Sequence, residues 1–301
     1  MSWVVIALAS AAVSGLVNMF DKTVLHRYAR SSLTLPLMIG VAQTTIGLVV
    51  LAFVRIPSGA TLQATATAFF SGLLFGISGN LLIRILYSQE VSRTIPVTQT
   101  APIFAAFIGV AFLGEDVSPL QWLAIVATVS GAVMISLRIE ANYRGVFLHR
   151  SFFLLIFGAL IMATANVIGK VALDDLPVLY THSMRALGLG VVFLAVNVRR
   201  APVANVVDFV RHRSPALRFV AMNELIIANS GLLLLLWALS LGPVSLVTAV
   251  AGTRAMFVVV YSTVLALIWK GALGEQTNRG AIVVKIVSTT LIIGGVAGIA
   301  I

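Results

Sequence analysis

Ten stretches of predominantly apolar residues, each about as long as a membrane is thick, take up most of this chain, and nothing else in the sequence restricts its fold as strongly. A hydrocarbon core about 30 Å thick is crossed by roughly 20 helical residues. Runs of that order fall at 3–20, 34–54, 66–88, 94–113, 119–137, 152–169, 178–198, 218–240, 244–269 and 281–301. Inside lipid no water satisfies a free backbone N–H or C=O, so a helix, which bonds its own backbone, is the economical way across. The predicted class is an all-α integral membrane protein of ten transmembrane helices. Pro57, Pro119, Pro177, Pro202 and Pro243 sit near span boundaries, where a missing N–H costs least.

Charge agrees with this class. Only 10% of the 301 residues are charged, against roughly 25% in soluble domains. The net charge of +10 comes from basic residues gathered in loops, which is a matter of topology and not of nucleic-acid binding. The chain has no cysteine, which excludes disulfides and thiolate chemistry. His26, His149, His182 and His212 are scattered and form no H-x-x-x-H pair. Phosphate-binding loops, nucleophile elbows and a nucleotide-hydrolysing domain are all missing from the sequence. The reading is therefore not an enzyme, with no metal and no cofactor, and any transport is driven by gradients.

The two halves share a pattern. Asn18-Met-Phe-Asp-Lys22 ends span one, and Asn166-Val-Ile-Gly-Lys170 ends span six. Leu35-Pro36 opens span two as Leu176-Pro177 opens span seven, and Arg55-Ile-Pro57 answers Arg200-Ala-Pro202. Leu113-Gly114-Glu115 follows span four, and Leu273-Gly274-Glu275 follows span nine. Four matches in one order predict two five-helix repeats, 1–140 and 141–301. An odd number of spans per repeat inverts the second copy, an arrangement that places a substrate site near the midplane. Span one lacks a basic leader and ends in Asn18, Asp21 and Lys22, so it reads as a permanent helix and not as a signal peptide. Between spans seven and eight, Val203, Val206, Val207 and Val210 fall on one helical face flanked by arginines. That segment reads either as an amphipathic helix in the headgroup layer or as a basic loop.

The paired N-x-x-x-K helix ends, the Pro102-Ile-Phe stretch leading to Leu-Gly-Glu115, and the second Leu-Gly-Glu275 together resemble the drug/metabolite transporter superfamily, EamA type. The resemblance extends over nearly the whole chain and is closer in the first repeat; Arg254 stands where an offset of 152 would put Pro102. It implies a ten-helix fold of two inverted repeats, a central cavity, and export or exchange of small metabolites such as amino acids. The expected partners are a small-molecule substrate and the lipid bilayer of a bacterial-type inner membrane, with the chain a monomer or weak homodimer. Carriage of phosphorylated or nucleotide-sugar metabolites, and a non-transporting scaffold or sensor subunit, stand as alternatives.

A charge near the bilayer centre costs about 2.5–3.5 kcal/mol or more, so polar residues within spans are the candidates for substrate contact. Arg254 lies deep in span nine, with Tyr261 a heptad further on. Glu224 is the carboxylate well inside a span, beside Asn223, whose face continues at i+7 and i+14 through Ser230 and Trp237. Asn80, Arg84 and Tyr87 share a face of span three, and His182 and Arg185 share one of span seven. Lys285 lies within span ten. Arg254 and Glu224 have no counterpart in the other repeat, which favours them as substrate ligands facing one cavity, the arginine for a carboxylate or phosphate and the glutamate for an ammonium or a proton. Asn18, Lys22, Asn166 and Lys170 recur, which points to a scaffold or gate role. Gly72, Gly76 and Gly79 line one face of span three and allow close helix packing. Finally, the loops after spans one, three, five, seven and nine hold 14 of the 20 Lys and Arg residues, counting Arg218 at its span boundary, and those after spans two and six hold 2. Positive-inside bias then puts both termini outside, whereas the family resemblance implies cytoplasmic termini.

Overall fold

The computed structural model describes residues 2–27, 33–54, 56–88, 97–136, 150–258, 260–261 and 279–300. Among them there is no strand. In chain order the helices are α1 (Ser2–Arg27), α2 (Thr34–Phe53), α3 (Leu62–Ser88), α4 (Ala101–Leu113), α5 (Pro119–Ser136), α6 (Arg150–Asp175), α7 (Val178–Asn197), α8 (Arg200–Arg211) and α9 (Pro215–Val220). A π-helical segment, Ala221–Ala228, leads into α10 (Asn229–Leu241), followed by α11 (Val244–Ala251) and α12 (Arg279–Ala300).

Among the described residues six stretches are long and apolar enough to cross a membrane: Ser2–Asp21, Thr34–Phe53, Leu62–Ile85, Phe152–Asp175, Val178–Asn197 and Leu217–Leu241. Four shorter apolar stretches, Ala101–Leu113, Pro119–Met134, Val244–Val258 and Ile286–Ile299, lie at the other expected positions. The surface is that of a multi-pass membrane protein: Phe53, Leu62, Phe112 and Leu123 are fully or largely exposed, while Asn80, Asn166, Arg185, Asn197, Asn223 and Glu224 are buried. In water this distribution would be inverted.

Local sequence sets the helix ends. Ser118 and Gln121 form a reciprocal capping box before α5: the Gln121 N–H donates to Ser118 Oγ at 3.3 Å and the Ser118 N–H to Gln121 Oε1 at 3.0 Å. Pro177 and Pro243 occupy the N-cap positions of α7 and α11. Gly114 ends α4 with φ of 65°, a left-handed conformation that a side chain disfavours. The turn lets the Glu115 N–H donate back to the Gly109 carbonyl and swings the Glu115 side chain across to α11. There its carboxylate accepts from the Val244 N–H at 2.5 Å, the Ser245 N–H at 3.0 Å and Ser245 Oγ at 2.6 Å. The Leu-Gly-Glu motif is thus a helix stop followed by a cap on a helix of the other half. Its second copy, 273–275, lies outside the described residues, as do Arg55, the end of span nine at 262–269, and the side chains of Lys22, Tyr87 and Lys285.

Helix α7 packs extensively against both α2 and α3, and α3 also packs along α6. Glycine makes the α3–α7 crossing possible: a methyl group on Gly72 would overlap the Arg185 carbonyl oxygen, and one on Gly188 would overlap the Phe69 carbonyl oxygen. Hydroxyls fasten α3 to α6, with Ser71 Oγ donating to the Ala165 carbonyl at 2.6 Å and Ser78 Oγ to the Gly158 carbonyl at 2.7 Å. The basic segment after α7 is helical. Asn205 of α8 donates to Thr34 Oγ1 at 3.1 Å, and Val203, Val207 and Val210 remain exposed beside Arg200 and Arg211.

Two departures from the expected continuous spans matter for function. The ninth is broken: α11 stops at Ala251, Gly252 and Thr253 form a turn, and residues 254–258 are helical again. The eighth contains the π-helical segment, whose i→i+5 bonding adds a residue to the turn and changes which side chains share a face. Asn223 is buried, whereas Ser230 and Trp237 are exposed.

Candidate functional site

Arg185 lies on the inner face of α7 with 5% of its surface exposed. Gly169 of α6 leaves room for its guanidinium, since a methyl group there would stand 3.1 Å from Nη1. Nη2 donates to Asn166 Oδ1 at 2.7 Å, and the guanidinium carbon stands 4.4 Å over the centroid of the Phe75 ring. Nε is buried and has no partner. No carboxylate pairs with this cation among the described residues. It adjoins a small recess lined by Phe75, His182, Arg185, Ala186, Leu189 and Leu232. Burying an ion costs several kcal/mol even after relaxation, and an amide oxygen with an aromatic face neutralises none of the charge. The recess therefore presents a cation with a free donor and no resident counter-ion.

Next to it is a cluster of opposite character. Asn223 Nδ2 donates to Asp21 Oδ1 at 2.7 Å and to Glu224 Oε1 at 2.9 Å. Asn229 Nδ2 donates to the Glu224 backbone carbonyl at 2.5 Å, and Asn229 also lies beside His182. A buried polar strip thus runs from Asp21 through Asn223, Glu224, Asn229 and His182 to Arg185 and Asn166. Every step of it is in a helix of the bundle.

Comparison with known proteins bears on this arrangement. Residues 1–137 match the EamA-like transporter family. A protein of Sinorhizobium described as an uncharacterized transporter in the cobO 3′ region is 27% identical over 142 residues, covering 45% of this chain and 96% of that protein. A solved crystal structure superposes with a TM-score of 0.65 at 13% identity, covering 99% of this chain and 96% of the other; at that identity the likeness is one of fold. The EamA match spans nearly the expected first repeat, 1–140, and contains Asp21 and Phe75 of the polar strip, while Arg185, Glu224 and Arg254 lie beyond it.

The other candidates are distributed as follows. Arg254 lines a second small recess, with Ser78, Thr98, Leu154 and Met162 among its walls. It follows directly on the break in span nine, where Gln99 Nε2 donates to the Gly252 carbonyl at 3.3 Å. Arg254 and Glu224 do not pair with each other, and they line different surroundings. Tyr261 donates its hydroxyl to the Ala12 carbonyl at 3.1 Å. Asn80 and Arg84 do share a face, and both meet Asn197 of α7: Asn197 Nδ2 donates to Asn80 Oδ1 at 3.4 Å, and Arg84 Nη2 to Asn197 Oδ1 at 3.4 Å. Asn18 is exposed and Lys170 half-buried, whereas Asn166 is buried against Arg185.

Sequence reasoning did not single out Asp21, Phe75, Asn197 or Asn229 as site residues. Asp21 and Asn229 carried a usable signal, a carboxyl and an amide at or within a span. Phe75, one of 16 phenylalanines, carried none.

Proposed function

We propose that this membrane transporter is a secondary carrier of small carboxylate-bearing metabolites, amino acids among them, working by export or exchange across a bacterial-type inner membrane. The carrier alternates access to the interior of a ten-helix bundle of two inverted repeats, 1–140 and 141–301. The observation that supports this most directly is Arg185: a buried guanidinium with an unpartnered Nε beside a recess between helices. A substrate carboxylate entering the recess supplies the missing counter-ion and accepts that N–H. Asn166 and Phe75 hold the fork in position, so the bound anion meets a preset geometry.

A single fork favours a carboxylate over a phosphorylated or nucleotide-sugar cargo. Arg84, Arg185 and Arg254 stand in three separate surroundings and do not converge on one pocket. A scaffold role is favoured by a mutual Arg254–Glu224 pair, which is not present among the described residues. Arg254, beside the broken span, is assigned to the second recess as a secondary contact on the substrate path.

The test is flux in vesicles reconstituted with the full chain, using a metabolite panel that includes each acid together with its amide or decarboxylated analogue. Transport should require the carboxylate. R185K should lower flux by on the order of tenfold or more at unchanged melting temperature, because an ammonium cannot reproduce the guanidinium fork. Wild-type flux in R185K and in R185Q, with both variants folded, would remove Arg185 from the substrate site.

A further inference from the structure

Anion binding at Arg185 leaves the Asp21–Asn223–Glu224 cluster unused, and the cluster has a chemistry of its own. One amide nitrogen bridges two carboxyl groups, at 2.7 Å and 2.9 Å. Glu224 and Asn223 are 3% and 1% exposed. Asp21, at the end of the first spanning stretch, is half-buried. The oxygens Asn223 Oδ1 and Asn229 Oδ1 are buried without partners at the same place, so the cluster is not a closed hydrogen-bond network. It is also built on the π-helical segment, a backbone irregularity that recurs at functional sites.

The charges around the cluster come from few elements. Neither α2 nor α10 carries an ionisable residue. Arg218 of α9 is exposed. His182 and Arg185 of α7 lie beyond Asn229. On α1, Lys22 follows Asp21 in sequence, and its side chain is outside the described residues. Among the described residues no cation forms an ion pair with either carboxyl. Two carboxylates sharing one donor away from water repel each other, and a single proton relieves the repulsion.

The geometry points to a proton-binding site: Asp21 and Glu224 together hold one exchangeable proton, admitted through the half-buried Asp21 and retained on the buried Glu224. The transfer balances simply. A carboxylate oxygen of Asp21 takes a proton from hydronium, leaving water; the new O–H donates to a carboxylate oxygen of Glu224, with which Asp21 is in hydrogen-bond contact, the proton crosses to that oxygen, and Asp21 returns to its anionic form. Asn229 ties the Glu224 carbonyl to the neighbourhood of His182 and Arg185, so proton and substrate occupy one continuous strip. The use of the proton to drive transport rests on the carrier reading, whereas the proton site does not.

Infrared spectroscopy of the full chain in lipid vesicles tests it without any substrate. At neutral pH the protein should show a protonated-carboxyl stretch that moves on carbon-13 labelling of glutamate and disappears in alkali. E224Q should remove it. D21N should keep it but slow its exchange in deuterium oxide by on the order of tenfold or more, through loss of the relaying carboxyl. The labelled wild-type protein needs no substitution, so a variant that fails to fold does not block the test. Absence of the band at neutral pH, or a band indifferent to glutamate labelling, would overturn the proton site. Unchanged exchange in D21N would overturn entry through Asp21. Missing flux with the band present would instead discredit the carrier reading alone.

Discussion

The Glu115 carboxylate accepts the Ser245 N–H at 3.0 Å and the Ser245 hydroxyl at 2.6 Å, joining a residue just past the fourth expected span to the first turn of the ninth. Ser245 is fully buried, so water does not take the place of this cap. The contact crosses between the expected repeats and holds the start of the helix that breaks before Arg254.

E115A should therefore destabilise the protein by about 1–3 kcal/mol, the cost of leaving buried N–H groups unpaired. E115Q should cost less, because its amide oxygen still accepts one of the three donors. Thermal unfolding in detergent checks both, and equal melting of E115A and wild type would show that the cap contributes nothing.

Alanine at Gly72 or Gly188 should lower stability by about 1–3 kcal/mol, since each added methyl meets backbone atoms that cannot move aside independently. Gly79, from the same sequence pattern, faces Phe193 at an ordinary 3.4 Å. G79A should melt with the wild type. Equal losses at all three positions would mean that helix propensity, not the crossing, is responsible.

The distribution of basic residues predicts that both termini face outside. A single cysteine placed at either end of this cysteine-free chain should react with a membrane-impermeant thiol reagent in intact cells. Labelling only after lysis would place the termini in the cytoplasm, as the family resemblance implies.

The apolar runs were legible because lipid leaves helices little freedom of pattern: α2 and α7 occur within a residue of the spans expected for them. Leu-Gly-Glu115 was legible as a repeated motif but not as a cap, because its partners lie about 130 residues away in sequence. Periodicity failed at the eighth span for a definite reason. Counting from Asn223 by sevens assumes an α-helix, and the π segment puts Trp237 on the outside. Arg185 was read as a candidate on its face with His182, yet its lack of a counter-ion is a property of α3 and α6, which supply Phe75 and Asn166 and no carboxylate. The matching Asn18 and Asn166 show the limit of repeat logic: the same letter is exposed in one copy and buried on Arg185 in the other.

The glycine contacts of α7 have a mechanical consequence. On one side Gly190 presses on Thr44 of α2, and on the other Gly188 presses on Phe69 of α3. Three helices clamped backbone to backbone should turn as one plate during transport, carrying Arg185 with them. Leu232 and Asn229 belong to α10, which packs mainly with α1 and only lightly with α7 and α6. The recess then lies along the seam between the two packings, and under the proposed alternating access its opening should shear the anion fork away from the acidic end of the strip. Spin labels on α2 and α7 should keep their separation through a transport cycle, while a pair across α7 and α10 should not; a cycle that parts α2 from α7 would break the plate.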